Sequence, residues 1–104
     1  MTVKLVVMYT HPDDPAAFDE HYLGVHGPLC QAIPGLQRFE TGRIEGALDR
    51  GEHSWYRIAE LYFADRSSMD AAFASPEGQA TAADYGNIAP RGSRMFVETV
   101  DEDG

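Results

Sequence analysis

Three side chains able to do chemistry lie close together in FDEHYLGVHGPLCQAIPG, residues 18–35: His21, Tyr22 and His26, with Cys30 after them. A histidine exchanges protons near neutral pH and suits general acid/base work. A phenol can orient or polarise a bound molecule through its hydroxyl. On a regular helix, at about 100° per residue, Tyr22, His26 and Cys30 share one edge of an apolar stripe centred on Phe18, Val25 and Leu29. His21 falls on the opposite border, about 140° from His26. A regular helix therefore cannot bring the two imidazoles onto one metal ion, as the i, i+4 pair of a zinc protease does, and no metal site is expected. Pro28 sits inside the same segment. It withholds an N–H from the Gly24 carbonyl and crowds that carbonyl, while Gly24 and Gly27 give the backbone room to adjust. The released oxygen needs another donor, which predicts water beside His26; a simple kink is the plainer alternative.

Other residues add candidates. Tyr9, Trp55, Tyr56, Tyr62 and Phe73 could line an aromatic cavity or form plain core. Glu60, flanked by apolar residues in AELYF, is read either as a carboxylate paired with an arginine such as Arg38 or as a pocket acid. Cys30, the only cysteine, reads as a small apolar filler and excludes an intrachain disulfide. His11 and His53 read as solvated turn or loop residues.

The elements that must position these groups follow from pattern. VKLVVMYT, residues 3–10, is a β-branched strand, and HPDDP is a turn. Asp14 caps a helix with Pro15 at its first position, and Pro34-Gly35 ends it. LQRFETGRIE and SWYRIAELYFA, residues 36–45 and 54–64, form a hairpin through a polar loop. Asp65 caps a second helix, and Ser75-Pro76-Glu77 restarts it or breaks it in two. DYGNIAPRGS reads as a loop and RMFVETV as the last strand. The order β-α-β-β-α-β predicts an α+β, ferredoxin-like domain over residues 1–104, with a four-stranded antiparallel sheet and the helices on one face. Residues 98–104 are expected to fray as an acidic tail. In the first strand Val3, Leu5, Val7 and Tyr9 oppose Val6 and Met8. In the third, Trp55, Ala59, Leu61 and Phe63 oppose Tyr56, Ile58 and Tyr62. Both faces are apolar and the helices cover one, so a homodimer with facing sheets is expected.

The net charge of −9 repels phosphate backbones and anionic lipid, which excludes nucleic-acid and membrane partners. With no apolar run near 20 residues and no signal-peptide pattern, a cytoplasmic location is expected. There is no GxGxxG, P-loop or GxSxG motif, so nucleotide and serine-hydrolase chemistry are not expected.

YTHPDDPAAFDEHYLGVHGPLCQAIPGL, AELYFAD and SPEGQATAADYGNIA together resemble the EthD family of the dimeric α+β barrel superfamily. The resemblance implies a ferredoxin-like subunit that dimerises through its sheet. The family's helical H-x-P-L stretch matches His26, Pro28 and Leu29, which favours a functional His26. Asp84 and Asn87 match a loop over the cavity, with Asp84 a lesser polar candidate. EthD-like proteins occur with ether oxidation and in aromatic polyketide pathways, and related folds include cofactor-free monooxygenases, isomerases and haem-handling enzymes.

The expected function is a cofactor-independent enzyme of monooxygenase, isomerase or decarboxylase type on an apolar, aromatic or polyketide-like small molecule. His26 and Tyr22 are the expected catalytic pair, and Tyr9, Trp55, Tyr62, Phe73 and Asp84 the substrate-binding residues, with no cofactor. The alternatives are a non-catalytic small-molecule-binding accessory protein of an oxidative pathway and, third, a haem binder with His26 or His21 as axial ligand.

Overall fold

The computed structural model describes residues 1–101. Its elements are β1 (Val3–Thr10), α1 (Pro15–His21), a π-helical turn (Tyr22–His26), α2 (Gly27–Gln31), β2 (Arg38–Arg43), β3 (Trp55–Phe63), α3 (Arg66–Ala74), α4 (Pro76–Ile88) and β4 (Arg94–Thr99). The four strands form one antiparallel sheet in the order β2-β3-β1-β4. This is the ferredoxin-like α+β arrangement expected from the element order.

Local chemistry sets the boundaries. The Asp14 carboxylate accepts from the Ala17 N–H, with Pro15 opening α1. Asp65 caps α3 through the Ser68 N–H. Ser75 ends α3 and caps α4 through the Gly78 N–H, so the second helical region is two helices. The chain turns so tightly there that a Cβ on Gly78 would lie 2.6 Å from the Phe73 Cα. Only glycine fits that crossing. The expected loop from Asp84 onward is instead the last part of α4, which continues to Ile88. β4 runs to Thr99, and Glu98 in it pairs with Lys4, so the chain is ordered past the start of the expected frayed tail. Residues 102–104 of that tail lie outside the described residues.

The core lies between the sheet and the helices. Val3, Val7 and Tyr9 of β1 and Ala59, Leu61 and Phe63 of β3 meet Phe18, Tyr22, Cys30, Ile33, Met69 and Ala72. Strict alternation fails at one place on β3. Tyr9 pairs with Arg57 but Thr10 pairs with Trp55, leaving Tyr56 as the extra residue of a β-bulge. Tyr56 and Arg57 are both buried and both reach α1. The Tyr56 hydroxyl donates to Asp19 at 2.6 Å, and Arg57 lies 3.6 Å from the same carboxylate. Trp55 is correspondingly displaced from the face of Ala59, Leu61 and Phe63 to a shallow cleft with Met8 and Ile44.

The other sheet face carries no helix. Lys4 pairs there with Glu60 at 3.5 Å and Glu98 at 3.6 Å, and Val6 faces Glu60 and Phe96 across the ladder. Glu60 thus takes Lys4 as its cation rather than Arg38, which pairs with Glu40 at 2.8 Å. Among the described residues, no helix is long and apolar enough to cross a membrane.

Candidate functional site

The site is built by the π-helical turn. Because Pro28 has no N–H to offer the Gly24 carbonyl, the regular ladder cannot pass through this point. The backbone widens instead: the Gly27 N–H donates to the Tyr22 carbonyl, five residues back. A Cβ at position 27 would stand 3.3 Å from that carbonyl, so glycine suits the wider turn. The turn absorbs one extra residue, and the buried series becomes Phe18, Tyr22, His26, Cys30 and Ile33. Its first three steps are all four residues long, more than the 3.6 of a regular helix. Val25, expected at the centre of the stripe, is 44% exposed.

The widening also brings His21 and His26 to one partner. His26 Nδ1 lies 2.8 Å from Asp84 Oδ2, and His21 Nε2 lies 2.9 Å from Asp84 Oδ1. The separation expected of a regular helix does not hold here. Asp84 projects from α4, not from a loop, and stands behind His26. A carboxylate can only accept, so it selects the His26 tautomer with hydrogen on Nδ1 and leaves a lone pair on Nε2. The Tyr9 hydroxyl is 3.4 Å from that Nε2. The four groups form a graded series: Tyr9 is 1% exposed, while the side chains of His26, Asp84 and His21 are 3%, 14% and 38% exposed.

Electrostatics keep His26 neutral at rest. Burial lowers its affinity for a proton below the ordinary histidine range, against the opposing pull of the Asp84 carboxylate. Burial would raise Asp84, but hydrogen bonds from His21 and His26 outweigh it and hold the carboxyl below its usual value. Burial raises the Tyr9 phenol well above its ordinary range and pushes the Cys30 thiol up to about 12, so both stay protonated.

Beside His26 Nε2 opens a cavity of about 310 Å³ between the sheet and the helices. Leu5, Val7, Ala59, Leu61, Met69 and Phe73 supply its apolar walls, and His26, Tyr9 and Tyr85 bring polar atoms to it. A histidine with an oriented, unprotonated nitrogen at the polar end of an apolar cavity can take or return a proton on a bound molecule.

Of the expected catalytic and substrate-binding residues, His26, Tyr9 and Phe73 line this cavity and Asp84 supports it; Cys30, read as a filler, also lines it, and Tyr56 does not. Three others stand elsewhere. Tyr22 is fully buried beneath the site, its ring 5.3 Å from His26 and 5.5 Å from Tyr9, with Arg57 stacked on it at 4.5 Å. It braces the two cavity residues and cannot touch a ligand; burial pushes its phenol up to about 12. Trp55 is turned away by the β3 bulge. Tyr62 lies on the helix-free face, donating to Glu40 at 3.0 Å. From sequence His21 enters only as an alternative axial ligand, because a regular helix sends it to the far border from His26. The four-residue spacing of Phe18, Tyr22, His26 and Cys30, running across Pro28, is the signal that could have found it.

The cavity, at about 310 Å³, is about twice the ~150 Å³ that encloses one benzene ring and does not enclose a porphyrin. Among the described residues, no group of three or more His, Cys, Asp or Glu is arranged to hold a metal ion.

Comparison with known proteins agrees with this architecture. SnoaB, a cofactor-independent oxygenase from Streptomyces nogalater, has the same fold, with a TM-score of 0.69 and 17% identity over 97% of this chain and 94% of that one. An ethyl tert-butyl ether d (ethd) family protein from Bacillus halodurans superposes with a TM-score of 0.90 and is 36% identical, covering 97% of this chain and all of that one. An 11.0 kDa protein in the thcB-thcC intergenic region of Rhodococcus erythropolis is 48% identical over 93 residues, 89% of each chain. Residues 11–91, which carry the π-turn, both histidines, Asp84 and most of the cavity wall, match the EthD domain, and the chain belongs to the EthD family.

Proposed function

We propose that this protein is a small cofactor-independent enzyme that moves a proton on an apolar molecule held between the sheet and the helices. The observation that carries this reading is the His26 ring in the wall of the apolar cavity, tied by Nδ1 to Asp84 at 2.8 Å and with Nε2 3.4 Å from the Tyr9 hydroxyl. His26 acts as general base and then as general acid. Asp84 fixes its tautomer and stabilises the imidazolium that forms. Tyr9, protonated at neutral pH, donates a hydrogen bond to the charge that develops on the substrate. Phe73, Leu61 and Val7 hold the apolar body. Proton removal of this kind opens isomerisation, decarboxylation or reaction of the resulting carbanion with oxygen, and the fold shared with a cofactor-independent oxygenase is compatible with the last.

The experiment uses 2-tetralone, a bicyclic ketone with exchangeable α-hydrogens, in deuterated buffer. The wild-type protein is expected to accelerate deuterium incorporation at the α-carbon, and His26→Ala to lower the protein-catalysed rate by about 100-fold or more. An equal rate in His26→Ala overturns the reading. A ligand that raises the melting temperature but is never exchanged or consumed favours the accessory-binding alternative instead.

The active form we propose is a homodimer joined through the helix-free sheet face. Val6, Met8, Ile58 and Phe96 occupy adjacent positions in the ladder there, and Phe96 is 42% exposed. The flanking charges are paired within the chain, Lys4 with Glu60 and Glu98, and Arg38 with Glu40, so a second copy meets an apolar centre whose rim charges are largely compensated. A monomer by light scattering at micromolar concentration overturns this.

A further inference from the structure

We infer that the cavity selects an uncharged molecule of about two fused rings that carries one weakly acidic O–H or C–H, and that it rejects carboxylates. The inference rests on the reading of His26 as a base and adds the charge, size and polarity of what it acts on.

Size comes from the volume. At about 310 Å³ the cavity is roughly twice a space that encloses one benzene ring. A single ring leaves it half empty, and two fused rings match its volume.

Charge comes from the lining. Among the described residues, no lysine, arginine, aspartate or glutamate lines the cavity. The Asp84 carboxylate stands one imidazole away, behind His26. A carboxylate ligand would enter beside a second negative charge, with no cation in contact and its hydration lost. His26 does not supply that cation, because it is neutral before proton transfer. A cationic ligand fares no better, since both Asp84 oxygens already accept from His21 and His26.

Polarity comes from the few cavity groups able to hydrogen-bond a ligand. Thr81 also borders the cavity, but its hydroxyl is turned to the Leu29 and Glu77 carbonyls, and the Cys30 thiol on the same wall is a weak donor. The stronger groups are His26 Nε2 as acceptor and the Tyr9 and Tyr85 hydroxyls as donors, and a ligand takes its place by exchanging the long 3.4 Å contact between Tyr9 and Nε2 for its own. A ligand X–H meets this set in one way. The X–H bond points at Nε2, the proton passes to Nε2, and the electron pair stays on X. The anion then faces the new imidazolium and the Tyr9 O–H, and the cavity's total charge is unchanged. A ligand that arrives neutral thus ends as a compensated ion pair, whereas one that arrives as a carboxylate keeps an extra buried negative charge with no partner.

The test is binding to the intact protein near pH 7, measured by calorimetry and by shifts of the histidine and tyrosine resonances, with 2-naphthol, 2-naphthoate and phenol as probes. The expected result is that 2-naphthol binds and moves the His26 signals, while phenol and 2-naphthoate bind at least about tenfold more weakly. Ala59→Leu, which fills the cavity from the sheet side, should abolish 2-naphthol binding without lowering the melting temperature. Equal affinity for naphthol and naphthoate, no binding by any probe, or naphthol binding that survives Ala59→Leu each overturns the inference. Because no proton need be transferred for binding, charge selection with a failed deuterium-exchange assay overturns the catalytic reading alone.

Discussion

His21 and His26 reach opposite oxygens of one carboxylate, although they stand five positions apart on a single helical segment. Pro28 is the cause. It cannot continue the regular ladder, and the π-turn that accommodates it rotates His21 toward α4. The result is a buried histidine with a defined tautomer at the cavity end and a half-exposed one at the solvent end of the same acid.

Pro28→Ala restores an N–H at that position and removes the ring that crowded the Gly24 carbonyl. The regular turn then becomes accessible, and losing one residue of register turns His21 by about 100°. The expected outcome is that the His21 ring signals in a ¹⁵N spectrum become those of a free, solvated imidazole while His26 stays bonded. A His21 spectrum identical to wild type would show that packing against α4, and not the proline, holds the turn open.

Asp84→Asn keeps an oxygen able to accept from His26 Nδ1 but removes the charge that stabilises the imidazolium. His26 should titrate at a still lower pH, because one of the influences raising its proton affinity is gone. The tautomer should no longer be unique, since the amide can also present a donor. Proton transfer to a bound ligand should slow by about 100-fold. Histidine tautomer signals and the deuterium-exchange rate read the two effects separately, and an unchanged rate with a scrambled tautomer would remove Asp84 from the mechanism.

The sheet, the capped helices and the split at Ser75 were legible because each rests on local rules: β-branched runs, Asp14 and Asp65 as caps, Pro15 and Pro76 as first residues. His26 and the cavity face of β1 were legible for the same reason. What alternation could not show was the β3 bulge, where Tyr56 is pulled inward by Asp19, a partner distant in sequence, and carries Trp55 with it to the other side. The wheel failed at Tyr22–His26 because 3.6 residues per turn was assumed through a proline. Asp84 was placed in a loop on the strength of DYGNIAPRGS, whose glycine and asparagine are weak helix formers. Packing of α4 on the π-turn and α2, with Thr81 donating to the Leu29 carbonyl, overrides that propensity.

Two glycines of α4 should respond in opposite ways to alanine. At Gly86 a Cβ would meet nothing within 4 Å, so Gly86→Ala should stabilise by up to about 1 kcal/mol through helix propensity. At Gly78 the same gain is overwhelmed, because the new Cβ would press on the backbone of Ala72 and Phe73, which cannot turn aside as a side chain can. Overpacking of this kind costs about 1–3 kcal/mol, and the backbone contact favours the upper end. Urea unfolding of the two variants should therefore move the midpoint in opposite directions. A stabilised Gly78→Ala would mean that α3 and α4 can separate without loss.

Stability should fall with acid in two windows, the upper traceable to His26 and the lower to Asp84 together with Glu40 and Asp65, which hydrogen bonds also hold low. His26 binds a proton less readily in the folded protein than at its ordinary value of 6.5. Between those two values the unfolded chain holds a proton that the folded chain lacks, so stability rises with pH across the window and is complete above about pH 7. Asp84 is likewise held below its ordinary 3.8, by its hydrogen bonds from the histidines. Its contribution is present above that value and is lost as pH falls through the folded one, which has the same sign. The urea midpoint of the wild-type protein should therefore drop from about pH 7.5 to about pH 5.5, and drop again below about pH 4. In His26→Gln, which keeps a donor toward Asp84 but cannot titrate, the upper drop should shrink while the lower one remains. An upper drop of equal size in that variant would assign it to groups other than His26 and would remove the argument that burial keeps this imidazole neutral and ready to accept a proton.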